Sequence, residues 1–160
     1  MYIPFQEIPP TARLWVYQAD RNLEKSEIEN IKEDLKLFIT QWTAHQQTLK
    51  ASAEVFYQRF IILSVDESLN AASGCSIDAS VHFLKQLEQK YELNLFDRSQ
   101  ILYLEEDTLR TSSLKDLKQA IAEGKITQDT YIFNNSVSDR EGFDKNWKQK
   151  AEASWMARYF

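Results

Sequence analysis

Phe60, Ile61, Ile62 and Leu63 stand in a row with no polar residue among them. A strand sends alternate side chains to opposite faces, so four consecutive apolar residues leave neither face suited to water. Any fold of this chain must therefore cover that segment on both sides. Residues 55–65 read as one long strand, with Gln58 and Arg59 in its more polar first half. The run ends in Asp66 and Glu67, crosses a loop of small residues that holds the only cysteine, Cys75, and enters an amphipathic helix. That helix is apolar at Ile77, Val81, Leu84, Leu87 and Tyr91, with Ser76 or Asp78 as its N-cap.

The rest of the pattern is built around this pair. Pro4, Pro9 and Pro10 keep the first ten residues extended. Residues 13–19 alternate as a strand. Ser26 with Glu29 three residues on reads as a capping box. It opens a helix whose stripe runs through Ile28, Ile31, Leu35, Phe38 and Trp42, and through His45 and Leu49 if the helix continues. Residues 101–104 and 109–111 read as a hairpin across an acidic turn. Ser112 or Ser113 then caps a short helix with Leu114, Leu117 and Ile121 inward and Gly124 at its end. Residues 131–133 form a last short strand. Ser138 and Glu141 open a final helix with Phe143 and Trp147 on one face.

The order β-α-β-α-β-β-α-β-α predicts an α+β fold, a mixed β-sheet with helices packed on it. At 160 residues the chain is one domain, 1–160. Its softest internal boundary falls near residues 94–99, which would divide it into a β-α-β-α unit, 1–97, and a hairpin-helix-strand-helix unit, 98–160. Four Trp, seven Tyr and nine Phe supply much of the core. The aromatic ending SWMARYF is expected to pack back onto the body.

Charge and cysteine usage narrow the class of function. A formal net charge of −5 argues against a nucleic-acid backbone as partner, which needs a basic surface. Lysines and arginines are scattered, with no block suited to an anionic membrane surface. No apolar run approaches the roughly 20 residues that span a bilayer, and the start lacks the basic-then-apolar plan of a signal peptide. A single cysteine excludes an intrachain disulfide framework and fits the cytoplasm.

The candidate site gathers at the Asp66 strand end and the SGCSID loop, where strand ends and helix starts commonly hold ligands. Ligand-binding residues expected there are Lys50, Asp66, Ser73, Gly74, Ser76 and Asp78, contacting a small molecule or a protein partner. The alternative is a thiol enzyme with Cys75 as nucleophile and His45 as base. A cysteine at a helix start sits in a field that favours the thiolate, although Asp66, Glu67 and Asp78 oppose it. His45 also lies on the apolar stripe, where a hydrogen-bonded core histidine is the commoner case. A third reading is a protein–protein module anchored by Trp147 or Trp155, a homodimer included. His45, Asp66, Glu67, Cys75 and Asp78 have no recognised metal-ligand spacing, so neither a metal nor a cofactor is expected.

Four segments carry a resemblance: WTAHQQTLKAS (42–52), FIILSVDE (60–67), ASGCSIDASV (72–81), and the terminal Ser154, Trp155 and Arg158. Together they resemble a family of small bacterial proteins without an established activity, some of whose members carry the label "ABC transporter ATPase". The likeness spans nearly the whole chain, and the GCSID segment is its most specific part. It implies a bacterial origin and directs attention to the same loop, but it implies no activity. An ABC ATPase needs a glycine-rich Walker A loop with its lysine, which Gly74, Gly124 and Gly142 cannot supply.

Overall fold

A computed structural model describes residues 1–160, and the chain is α+β. Its elements are β1 (Arg13–Gln18), α1 (Lys25–Gln41), β2 (Thr43–Ala44), β3 (Gln47–Thr48), β4 (Lys50–Phe56), β5 (Phe60–Asp66) and α2 (Gly74–Tyr91). There follow β6 (Gln100–Glu105), β7 (Thr108–Ser113), α3 (Leu117–Ala122), β8 (Tyr131–Phe133), α4 (Arg140–Asn146) and β9 (Lys148–Lys150). The strands form three sheets ordered β1-β5-β4, β2-β3 and β7-β6-β8-β9, and every pairing within them is antiparallel. No helix is long and apolar enough to cross a membrane.

The doubly apolar run lies where its composition demands. All seven residues of β5 are buried. Ile61, Leu63 and Val65 face the helix layer, where Ile31, Leu35 and Ile39 of α1 and Leu84 and Leu87 of α2 close the largest core cluster. Phe60 and Ile62 face the other way, onto Leu102, Phe133, Phe143 and Trp147, so the second sheet covers that face. This second core draws on both halves of the chain. On the far side of the second sheet, Tyr103 and Ile132 pack under Leu117, Ala120 and Met156. The layers are therefore helices, sheet, sheet, and a thin cover of α3 and the terminal 3-10 turns.

Several local expectations change. Residues 55–65 are not one strand: Tyr57 and Gln58, with φ of 55° and 56°, reverse the chain between β4 and β5. No Gly, Asn or Asp marks that turn, which is why the pattern concealed it. α1 stops at Gln41, so His45 and Leu49 leave the helical stripe. Its N-cap is Glu24, not Ser26, and Glu24 and Glu27 form the reciprocal box. Arg21 grips Glu27 with two hydrogen bonds of 2.8 and 2.7 Å. That fork and the Glu24 N–H draw the Glu27 carboxyl down to about 2. α2 is capped by Ser73 rather than Ser76 or Asp78. Leu114 points outward, and Ser112 and Ser113 end β7 instead of starting a helix. Asp139, not Ser138, caps α4, accepting from Gly142 N at 2.6 Å. The C-terminal stretch packs back through Met156, which is fully buried, while Trp155 remains exposed.

One buried cation ties the layers together. Arg59, 5% exposed, follows the β4–β5 turn. Its Nε donates to Ala19 O at 2.6 Å and its Nη1 to Asn22 Oδ1 at 3.2 Å, fixing the segment between β1 and α1. Its Nη2 donates to Gln100 Oε1 at 3.1 Å, reaching the second sheet. Burial pushes its pKa down, with Asp20 pulling the other way.

Candidate functional site

The end of α1 is set by Trp42. Its backbone turns extended, and its buried indole Nε1 donates to Ser76 O at 2.8 Å. That bond pins the C-terminus of α1 to the first turn of α2. The chain then makes the small β2–β3 hairpin, closed by Leu49 N donating to Trp42 O at 2.9 Å. At its tip, His45 and Gln46 adopt φ of 52° and 66°. Asn70, on the loop after β5, holds both strands of this hairpin: its Nδ2 donates to Ala44 O at 3.2 Å and Gln47 O at 3.0 Å. The loop itself is tied by Glu67, which accepts from Ala72 N at 2.8 Å.

At the start of α2 the two serines hold each other. Ser73 Oγ accepts from Ser76 N at 3.1 Å, and Ser76 Oγ accepts from Ser73 N at 2.7 Å. Cys75 lies between them as an exposed free thiol. The hairpin and the helix start enclose a surface depression of about 410 Å³ whose lining includes Gln41, Trp42, His45, Ser73, Cys75 and Ser76. Phe38, Gln41 and Ala79 are shared with a second, open cleft of about 550 Å³ running along the seam between α1 and α2. Its floor carries Phe38 stacked on Phe83, ring centroids 4.5 Å apart, and its far end carries the Lys90–Asp34 ion pair at 2.8 Å.

Of the residues singled out from the sequence, His45, Ser73, Cys75 and Ser76 meet at one depression. His45 is exposed at a turn and is not the core histidine that a longer helix would have made it. The hydrogen bonds of this corner run among Trp42, Ser73 and Ser76, and none joins the thiol to the imidazole. Lys50, Asp66, Gly74 and Asp78 lie outside the lining. Lys50 and Asp66 instead face each other across β4 and β5, Nζ to Oδ2 at 3.7 Å. Hydrogen bonds from Ser68 lower the Asp66 pKa against the effect of burial, with Lys50 adding to them. That carboxylate serves the strand end. No group of three or more His, Cys, Asp or Glu side chains converges as a metal site would require.

Gln41, Thr43, Asn70 and the Phe38–Phe83 stack are parts of this region that sequence reasoning missed. Phe38 was legible only as a member of an apolar stripe, Phe83 stood outside the stripe read for α2, and nothing in the sequence says which residues of two helices touch. Asn70 sat in a loop with no periodicity. Trp147, read as an interface anchor, is buried between the sheets and stacks on Phe143 at 4.6 Å.

The hairpin tip gives a direct test of local strain. A two-residue turn with both φ positive favours Asn-Gly, and side chains such as His and Gln are held there at a cost. The double change His45→Asn, Gln46→Gly is expected to stabilise the protein by about 1 kcal/mol. A higher urea midpoint with an unchanged slope is the expected result; no gain would mean that the turn carries no strain.

Comparison of the chain with protein-family models, with curated proteins and with solved structures finds no match.

Proposed function

We propose that this chain is a cytosolic binding domain that holds a small, largely apolar ligand where α1 ends and α2 begins. The observation behind this reading is the continuity of the Cys75–His45 depression with the cleft between the helices. Apolar walls from Phe38, Trp42 and Ala79 meet a few polar groups, Gln41, His45 and Ser73, at one end. A predominantly apolar concavity with a small number of placed polar groups is the usual form of a ligand site. The strained hairpin tip beside it supports the choice, because such backbone clusters at binding sites.

Ala79 is the place to test this, since it is exposed and common to both concavities. The apolar dye 1-anilinonaphthalene-8-sulfonate is expected to bind the native protein. Ala79→Arg should weaken that binding by roughly tenfold, a loss of about 1.4 kcal/mol, while leaving the thermal midpoint unchanged. Dye binding that ignores Ala79→Arg would place the ligand elsewhere.

The thiol-enzyme reading is kept alive by one fact: Cys75 and His45 are both exposed on the same depression. It requires native Cys75 to alkylate faster than free cysteine at neutral pH and to lose that advantage in His45→Ala. A thiol that reacts no faster than free cysteine would remove the enzyme reading.

A further inference from the structure

The four outer edges of the two main sheets are not alike. The edge at β1 is capped at its start: Leu14 N donates to Ser138 O at 3.0 Å, and Arg13 bridges to Asp139. The edge at β4 is capped near its start by the N-terminal arm, through Ala51 N to Met1 O and Ile3 N to Ala51 O, both 2.9 Å. At β9 the edge strand is three residues long with a lysine at each end, features that discourage pairing. β7 is different. It is six residues long, TLRTSS, with no proline and no lysine, and its only partner strand is β6.

The register fixes which of its backbone groups face outward. The two-residue connection makes Glu105 and Thr108 the hydrogen-bonded pair that closes the hairpin, and such pairs recur at every second residue. Thr108, Arg110 and Ser112 therefore bond to β6. Two independent bonds agree: Gln100 O accepts from Gln18 Nε2 at 3.1 Å, and Ser113 O accepts from Asp116 N at 3.2 Å, so this end pair is turned away from the ladder. It follows that Leu109 and Thr111 turn both N–H and C=O outward, and Ser113 its N–H, as an open pairing edge.

We propose that β7 is a homodimer surface, on which β7 of a second copy pairs antiparallel about a two-fold axis through Thr111. The two four-stranded sheets would become one of eight strands, in the manner of strand addition. Charge and register select this occupant. Centring the pair on Thr111 gives three hydrogen-bonded positions, Thr111 with itself and Leu109 with Ser113 twice. It also sets Arg110 opposite Ser112. A shift one way puts Arg110 opposite Arg110, a like-charge clash; a shift the other way gives up one hydrogen-bonded position. The central register also brings Asp107 toward Lys115 of the second copy. Glu106 falls opposite Asp116, which is turned back to accept from Ser113 Oγ at 3.0 Å. A strand pair is smaller than the roughly 1,200–2,000 Å² of a standard interface, so the expected dissociation constant is on the order of 10 to 100 µM.

Sedimentation of the whole chain from about 1 to about 500 µM tests this, a span that brackets such a constant. Wild type should shift from monomer to dimer across the range. Thr111→Pro removes the central outward N–H without touching the ladder to β6, and should weaken dimerisation by about tenfold or more. Thr111→Val keeps that N–H and should dimerise like wild type. Lys115→Asp should weaken the dimer, and adding Asp107→Lys should restore it, which decides the matter even if the proline variant fails to fold. A wild type that stays monomeric throughout would overturn the proposal. So would a dimer indifferent to both the proline and the charge reversal.

Discussion

Arg59→Met is expected to destabilise the protein by about 3 kcal/mol, seen as a lower urea midpoint. The guanidinium donates to Ala19 O, Asn22 Oδ1 and Gln100 Oε1, and more weakly to Thr111 Oγ1 at 3.5 Å, from one buried position. Methionine fills much of the same volume, but it leaves those acceptors without a donor where water reaches poorly. Arg59→Lys should be nearly as harmful, because a single ammonium cannot span the planar fork. No carboxylate pairs directly with Arg59 in an ion pair, so its own desolvation works against it. A neutral or stabilising Arg59→Met would show that this desolvation outweighs those bonds. The guanidinium would then tie nothing together.

The largest effect is expected at Phe60. Its ring is fully buried between the sheets, 4.9 Å from Phe133 and 5.0 Å from Trp147 by centroid. Phe60→Ala removes the apolar contact and leaves a cavity that two hydrogen-bonded sheets cannot close, a loss of about 4 kcal/mol. Native domains are stable by about 5–15 kcal/mol in total, so this single change takes a large part of the margin. Equilibrium denaturation followed by both tryptophan fluorescence and far-ultraviolet circular dichroism checks it. A loss below about 1.5 kcal/mol would mean that the second sheet does not rest on Phe60, since full burial of such a ring is worth more than that.

These two residues also show how far the sequence could be read. Phe60 belongs to a run whose composition alone demanded cover on both faces, and the structure supplies helices on one side and a sheet on the other. Arg59 looked like a polar residue in the first half of a strand. Its role depends on a turn at Tyr57 and Gln58 for which the sequence carries no marker, and on acceptors far away in the chain. The site divides in the same way. Ser73, Cys75 and Ser76 are neighbours in sequence, and a helix start was enough to bring them together. His45 reached them by the opposite of the expected route, because α1 stopped at Gln41 and a hairpin carried the imidazole across.

Local chemistry is what the sequence determined: the apolar periods of α1 and α2, the covered strand β5, the hairpin β6–β7 and the α+β class. Each follows from backbone geometry acting on residues a few positions apart. Tertiary structure alone decided that Lys50 faces Asp66 across β4 and β5. It also decided that Trp42 bonds Ser76, and that other backbone caps the β1 and β4 edges while β7 is left open. Those outcomes depend on which distant groups compete for the same few hydrogen bonds, and no local pattern records that competition.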